Sequence, residues 1–187
     1  MPEQIHFEGL KELIEATDPA ILRKPLRDYW KRAAALVQGE ARQYAPVDTG
    51  HLKNAIASEV DSSPTPRWAR VGFLNASPGS PLWFKARAME YGTGRVGDPE
   101  VSHKSSHWPP GAALDRWAGR HGFASGGAVA AIIGRRGGLV GRRFLRIGLH
   151  LHLGEIKSRL LRQLGEEIAR EWARQAARRA SSGLTTE

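Results

Sequence analysis

Ala45-Pro46-Val47-Asp48-Thr49-Gly50-His51-Leu52-Lys53-Asn54-Ala55-Ile56 is the stretch that decides the fold, because a long helical pattern stops there and an extended one begins. Pro46 disfavours helical geometry in the residue before it, so the helix should end near Ala45. Asp48 and Thr49 are residues that can cap a turn, and Gly50 allows a backbone conformation denied to other residues. Together they redirect the chain into a sheet.

Upstream of this turn, Asp18-Pro19 is a good helix start. From Ile21 onward Leu22, Leu26, Tyr29/Trp30, Ala33, Val37, Ala41 and Tyr44 recur at steps of three and four, the spacing of one buried helix face. Lys24-Pro25 is a place where this helix could kink or restart. Before it, Gln4 to Phe7 could form a short strand, and Glu8 to Ala16 places Leu10, Leu13 and Ile14 on one helix face.

Downstream, His51 to Ile56 can make a brief helical turn or lead directly into a strand at Ala55 to Asp61. Ser62-Ser63-Pro64-Thr65-Pro66 reads as a loop, and Trp68, Val71, Phe73 and Leu74 as a second strand, which predicts an antiparallel hairpin. A further loop leads into Leu82-Trp83-Phe84, Ala86, Met89, Glu90 and Tyr91, closed by Gly92-Thr93-Gly94. Residues 95–107 carry no period and read as a long surface loop, of the kind that is functional or disordered. Trp108-Pro109-Pro110 opens a helix with Ala113, Leu114, Trp117 and Ala118 on one face, and His121-Gly122 ends it. Ala128 to Ile133 reads as a short apolar helix stopped by Arg135-Arg136-Gly137-Gly138. Leu139 to Leu149 fits either a strand or a lead-in turn. Glu155 to Ala180 is a long amphipathic helix with Ile156, Leu160, Leu161, Leu164, Ile168, Trp172 and Ala176 on its apolar face, and Ser181 to Glu187 a frayed tail.

The 187 residues, 41% apolar and 25% charged, suit one soluble globular domain over 1–180, with 95–141 as a loop and helical insertion and 181–187 as a flexible tail. No run reaches the roughly 18 apolar residues a membrane span needs, and the N-terminus lacks the form of a signal peptide. These features lead to the expectation of a cytosolic protein. The absence of cysteine excludes disulfides, thiol nucleophiles and cysteine zinc sites. The net charge of +9 is uneven: residues 1–134 carry +2 and residues 135–187 carry +7. Such a segment suits a polyanion, an acidic partner surface or a solvated helix face.

Catalytic signatures are missing. His150-x-His152 and the pair His103 and His107 lack a third ligand nearby in sequence, so surface or packed histidines are favoured over a metal site. Gly92-Thr93-Gly94-Arg95 and Gly134-Arg135-Arg136-Gly137-Gly138 lack the spacing of a phosphate-cradling loop. No serine sits in a nucleophile elbow, and Asp48, Glu90 and Asp115 show no paired spacing for acid–base work. No cofactor and no enzymatic activity are therefore expected. Arg135, Arg136, Arg142, Arg143 and Arg146 are different: five guanidinium groups within 12 residues, amid glycines, can follow a phosphate path or dock on an acidic subunit edge. A solvated loop accounts for them equally well, and only Phe144 supplies an interleaved aromatic.

Two segments together are more specific. One is the Ala45–Ile56 stretch. The other is Ala86-x-x-Met89-Glu90-Tyr91-Gly92-Thr93-Gly94, with Arg143-Phe144-Leu145-Arg146 entering the last helix. This order resembles the small tail-completion or neck proteins of long-tailed bacteriophages, the family typified by the tenth gene product of a lambdoid phage and related to the lambda tail-completion protein. The resemblance covers residues 4–94 and 142–175. Its motif residues here are Pro46, Asp48, Thr49, Gly50, Leu52, Glu90, Tyr91, Gly92, Thr93, Phe144 and Leu145, and they read as architectural. Ile147 stands where the family pattern has proline, and the stretch from Gly94 to Arg142 is longer than the loop of the smallest members.

The resemblance implies an α+β fold, a mostly antiparallel sheet packed by the long helix of the N-terminal half and the long C-terminal helix, with a helical insertion. It also implies a structural virion protein at the head–tail interface, assembled in the host cytoplasm. Its copies would form a ring, commonly a hexamer, between head-closure proteins and tail-terminator or tail-tube proteins. Packaged double-stranded DNA would pass through the axial channel, with the five arginines lining it or joining subunits. The alternative class is a basic DNA-binding protein acting as a monomer or dimer.

Overall fold

The computed structural model describes residues 19–101 and 105–182. The strand and helix expected over 4–16, and most of the expected tail, lie outside the described residues. The chain divides into two compact units. The first holds the residues up to Gln43, Ile56–Leu74 and those from Leu145 onward; the second holds Tyr44–Ala55 and Asn75–Phe144.

In the first unit, helix α1 (Pro19–Tyr44) runs unbroken through Pro25. Pro25 is itself buried beside Ile21, Leu22 and Leu26, and that burial outweighs the lost backbone bond. Strands β1 (Ala57–Val60) and β2 (Ala69–Gly72) pair antiparallel, with Ala57 opposite Gly72 and Val60 opposite Ala69. The expected sheet is thus a two-stranded hairpin, and the fold is mostly helical α+β. Ile21, Leu22, Leu26, Tyr29, Trp30, Ala33 and Val37 form one core with Ile156, Leu160, Leu164 and Ile168, while Val60, Ala69 and Val71 pack against it. The hairpin loop is tied to this core by the Trp30 indole, whose Nε1–H donates to Pro66 O at 2.9 Å.

Residues 144–149, open between strand and lead-in turn in the sequence, are helical. Helix α6 (Phe144–Glu155) passes through a π-helical turn (Ile156–Leu160) into α7 (Leu161–Ser182). Gly148 explains the close fit: a Cβ there would come within 3 Å of Val37 O and Ala41 N of α1. The wide turn has its own logic. Ile156, Leu160, Leu164 and Ile168 are four apart, and a regular helix rotates such positions by about 40° per step. One turn with extra residues per revolution winds the stripe back onto the core.

In the second unit, α2 (His51–Asn54) follows the opening turn, and α3 (Pro81–Tyr91) is capped by Ser80, whose Oγ accepts from Trp83 N. Helices α4 (Gly111–Arg120) and α5 (Gly126–Arg135) pack through Ala118, Val129 and Ile133, with Leu114, Trp117 and Leu139 partly buried against them. Asp115 Oδ1 accepts from Gly126 N at 2.7 Å, so one carboxylate holds the start of α5. Gly134 lets the Trp108 indole lie directly on the α5 backbone. Residues 94–96 make a short 3₁₀ turn at the beginning of the expected loop.

Candidate functional site

The motif around Glu90–Gly94 and the glycine-arginine segment 137–143 are sewn together by backbone. Thr93 N donates to Leu139 O at 2.8 Å, and Leu139 N donates to Thr93 Oγ1 at 3.1 Å. Arg95 N donates to Gly137 O at 2.8 Å, Arg142 N to Met89 O at 2.7 Å and Arg143 N to Glu90 O at 3.0 Å. Gly92 and Val140 form a bridge between the two segments. Such an approach leaves no room for side chains. A Cβ on Gly92 would fall within 3 Å of Leu139 O and Gly141 N, and one on Gly138 would strike Thr93 O. Gly92 and Gly138 also hold φ values of 78° and 138°, which L side chains resist.

This clasp presents the arginines. Arg135 ends α5, Arg136 follows it, and Arg142 and Arg143 leave the clasp; all four are exposed. Among the described residues no carboxylate pairs with Arg135, Arg136 or Arg142. Arg143 adopts φ 52° and sets Nη2 3.8 Å from Asp98, a carboxylate only 4% exposed. Asp98 N in turn donates to Tyr91 O at 2.7 Å. The sequence placed Asp98 only within the long surface loop expected over 95–107, whereas the carboxylate is buried and lies beside an arginine 45 residues later. Arg146 is half-buried on α6 and belongs to the first unit, unlike the other four.

The opening turn differs from its sequence expectation. Gly50, at φ 77°, stands at the start of α2, and no side chain caps it. Asp48 is turned instead to Arg120, which binds it through both carboxylate oxygens, Nε to Oδ1 at 3.1 Å. A bidentate charged donor outcompetes a single backbone N–H. His121 Nε2 lies 3.3 Å from Asp48 Oδ1, and its ring stacks on Trp117 at 4.2 Å. Leu52 is buried, Pro46 is half-buried and Thr49 is exposed. Glu90 is only 4% exposed, Tyr91 and Thr93 are half-buried, Phe144 is fully buried and Leu145 is half-buried.

The Arg120 hydrogen bond, with help from His121, holds the Asp48 carboxyl below its ordinary value. A depressed folded-state pKa contributes stability that is present above the unfolded value and is lost as pH falls through the folded one. In acid titrations below pH 4, native protein should therefore lose melting temperature faster than Asp48→Asn. Parallel curves for the two proteins would show that the contact carries no pH-linked stability.

Among the described residues no group of three or more His, Asp or Glu side chains is arranged to hold a metal ion. His150 and His152 sit on α6, where a two-residue step separates them around the helix. His152 is instead held between Glu155 Oε2 at 3.1 Å and Glu40 Oε2 at 3.4 Å. No helix among the described residues is long and apolar enough to cross a membrane. No family model, curated protein or solved structure matches this chain.

Proposed function

We propose that this protein is a structural component of the neck of a long-tailed bacteriophage, forming a ring that completes the tail end and joins it to the head. The observation that carries the reading is the clasp. One of the segments that motivate the family resemblance, Glu90–Gly94, is bonded through its backbone to the glycine-arginine segment 137–143, and four exposed arginines end or flank that junction. In this reading Arg135, Arg136, Arg142 and Arg143 face packaged DNA in the axial channel or an acidic neighbouring subunit, and Arg146, in the other unit, is a separate candidate for such a contact. Head-closure and tail-terminator or tail-tube proteins are the neighbours above and below.

The mass of the purified protein, with and without duplex DNA, tests this directly. The ring reading expects a closed oligomer, with six copies as the first expectation. A stable monomer or dimer with tight, salt-sensitive DNA affinity would favour the alternative, a basic DNA-binding protein, which the exposed arginines also support. Deletion of the gene should yield filled heads without joined tails, and normal particles would overturn the neck assignment.

Where DNA is the contact, replacing Arg135, Arg136 and Arg142 together with Gln should flatten the salt dependence. Each lost phosphate contact removes about 0.9 from the slope of log affinity against log salt, so the triple change removes about 3. An unchanged slope would assign these arginines to protein contacts.

A further inference from the structure

Among the described residues, one edge of the first unit's hairpin has no strand beside it. Asp61 N donates to Trp68 O at 3.0 Å, in register with the ladder, so Asp61–Trp68 is a hydrogen-bonded pair. Bonded and non-bonded pairs alternate in an antiparallel ladder. Ser58 and Val60 therefore turn their N–H and C=O groups away from β2. Ile56, of the same parity, has its carbonyl closed off by Gln38 Nε2 at 2.9 Å and Arg42 Nη2 at 2.7 Å, both from α1. Among the described residues no hydrogen bond is made to the outward backbone groups of Ser58 or Val60.

That stretch borders a cleft of about 450 Å³, with Ser58, Val60, Asp61 and Ser62 on one wall and Arg27, Lys31 and Ala34 of α1 on the other. Arg27 and Lys31 have no ion-pair partner among the described residues. Asp61 lines the same cleft but pairs with neither of them; its oxygens accept from Ser63 N at 3.0 Å, Ser63 Oγ at 2.8 Å and Arg67 N at 3.1 Å. Burial alone would raise the Asp61 carboxyl, but these bonds hold it below its ordinary value. Among the described residues, the cleft thus combines a strand edge without backbone partners and two cations without ion pairs, one helical turn apart.

We propose that this edge accepts an extended, acidic segment of a different protein, which adds as a third strand with alternate carboxylates facing Arg27 and Lys31. The spacing agrees: alternate strand residues lie about 6.7 Å apart, and residues four apart on a helix about 6 Å. Charge selects the occupant. A second copy of this chain carries +9 and would bring its own Arg27 and Lys31 to the same seam, whereas an acidic strand gains attraction there as well as backbone bonds. The proposal is independent of the ring reading and is tested on the isolated protein.

The probe is an end-blocked heptapeptide alternating valine with glutamate, added to the isotope-labelled full chain. The expected result is saturable shifts and slowed hydrogen exchange at the Ser58 and Val60 amides, weakened by salt. The same peptide with lysine in place of glutamate, or N-methylated along its pairing edge, should produce neither effect. Replacing both Arg27 and Lys31 with Gln should weaken binding about fivefold. Equal binding by the lysine or N-methylated peptide would overturn the proposal. So would an unperturbed Ser58–Val60 edge, self-association of the chain through those amides, or their stronger perturbation by duplex DNA. The peptide controls use the native protein and so stand even where the double variant fails to fold.

Discussion

Gly92→Ala is expected to destabilise the protein by about 3–5 kcal/mol, from strain at a left-handed position plus overlap with a facing backbone. Gly92 holds φ 78°, and its missing Cβ is the space through which Leu139 O and Gly141 N approach. Gly79 isolates the two contributions. Its φ is 84°, yet nothing lies within 4 Å of where a Cβ would stand. Gly79→Ala should therefore cost only the conformational part, about 1–2 kcal/mol. Urea midpoints of the two variants, at constant slope, measure the difference. Equal losses would mean that the segments are not clasped in solution. A larger loss at Gly92, with faster hydrogen exchange at Thr93 and Arg95, would locate the damage in the clasp.

Phe144→Ala should cost a similar amount, about 3–5 kcal/mol, because it removes a fully buried ring and the surroundings refill the space only in part. Phe144→Leu keeps most of the volume and should cost about 1–1.5 kcal/mol. Val140 provides the control. It is 73% exposed although four residues away, so Val140→Ala should change stability by no more than about 0.5 kcal/mol. Equal unfolding midpoints for Phe144→Ala and Val140→Ala would contradict the burial of the ring. The position matters because Arg143 immediately before it adopts φ 52°. The anchored ring holds the point at which the arginine segment turns into α6.

The regular elements were largely legible from local pattern. Leu22, Leu26, Tyr29, Ala33 and Val37 repeat at helical spacing over enough residues to determine α1 whatever lies around it, and Pro46 marks its end. Ser62 to Pro66 similarly announces the hairpin. Leu139 to Leu149 failed as a local reading because it mixes glycine, arginine and leucine without a period. Part of it becomes backbone partner to residues some 45 positions earlier, and the rest becomes helix because Gly148 lies against α1. The π-helical turn was equally hidden. Apolar residues spaced by four fit a helical pattern with or without it, and the common core settles the winding.

Among the site residues, the sequence singled out the arginines and the Glu90–Gly94 motif but could not join them. Asp48 shows the limit clearly: its neighbours predict a capping role, while its partners Arg120 and His121 stand 72 and 73 residues away. The open edge beside Arg27 and Lys31 was also beyond reach, since strand parity and a helix wall meet only after folding.

By itself the sequence determined where the long first helix, the two helices of the 108–135 stretch and the C-terminal helix run, where the chain turns, that the positive charge lies late in the chain, and that glycines cluster around it. Those properties follow from side-chain period, proline and glycine chemistry and composition, all of which act over a few residues. Tertiary structure alone decided that the glycines form a clasp, that Asp98 is buried beside Arg143, and that the outward edge of β1, unpaired among the described residues, lies near two cations. Each of these depends on backbone groups from distant segments finding or lacking hydrogen-bond partners, and no local pattern records that outcome.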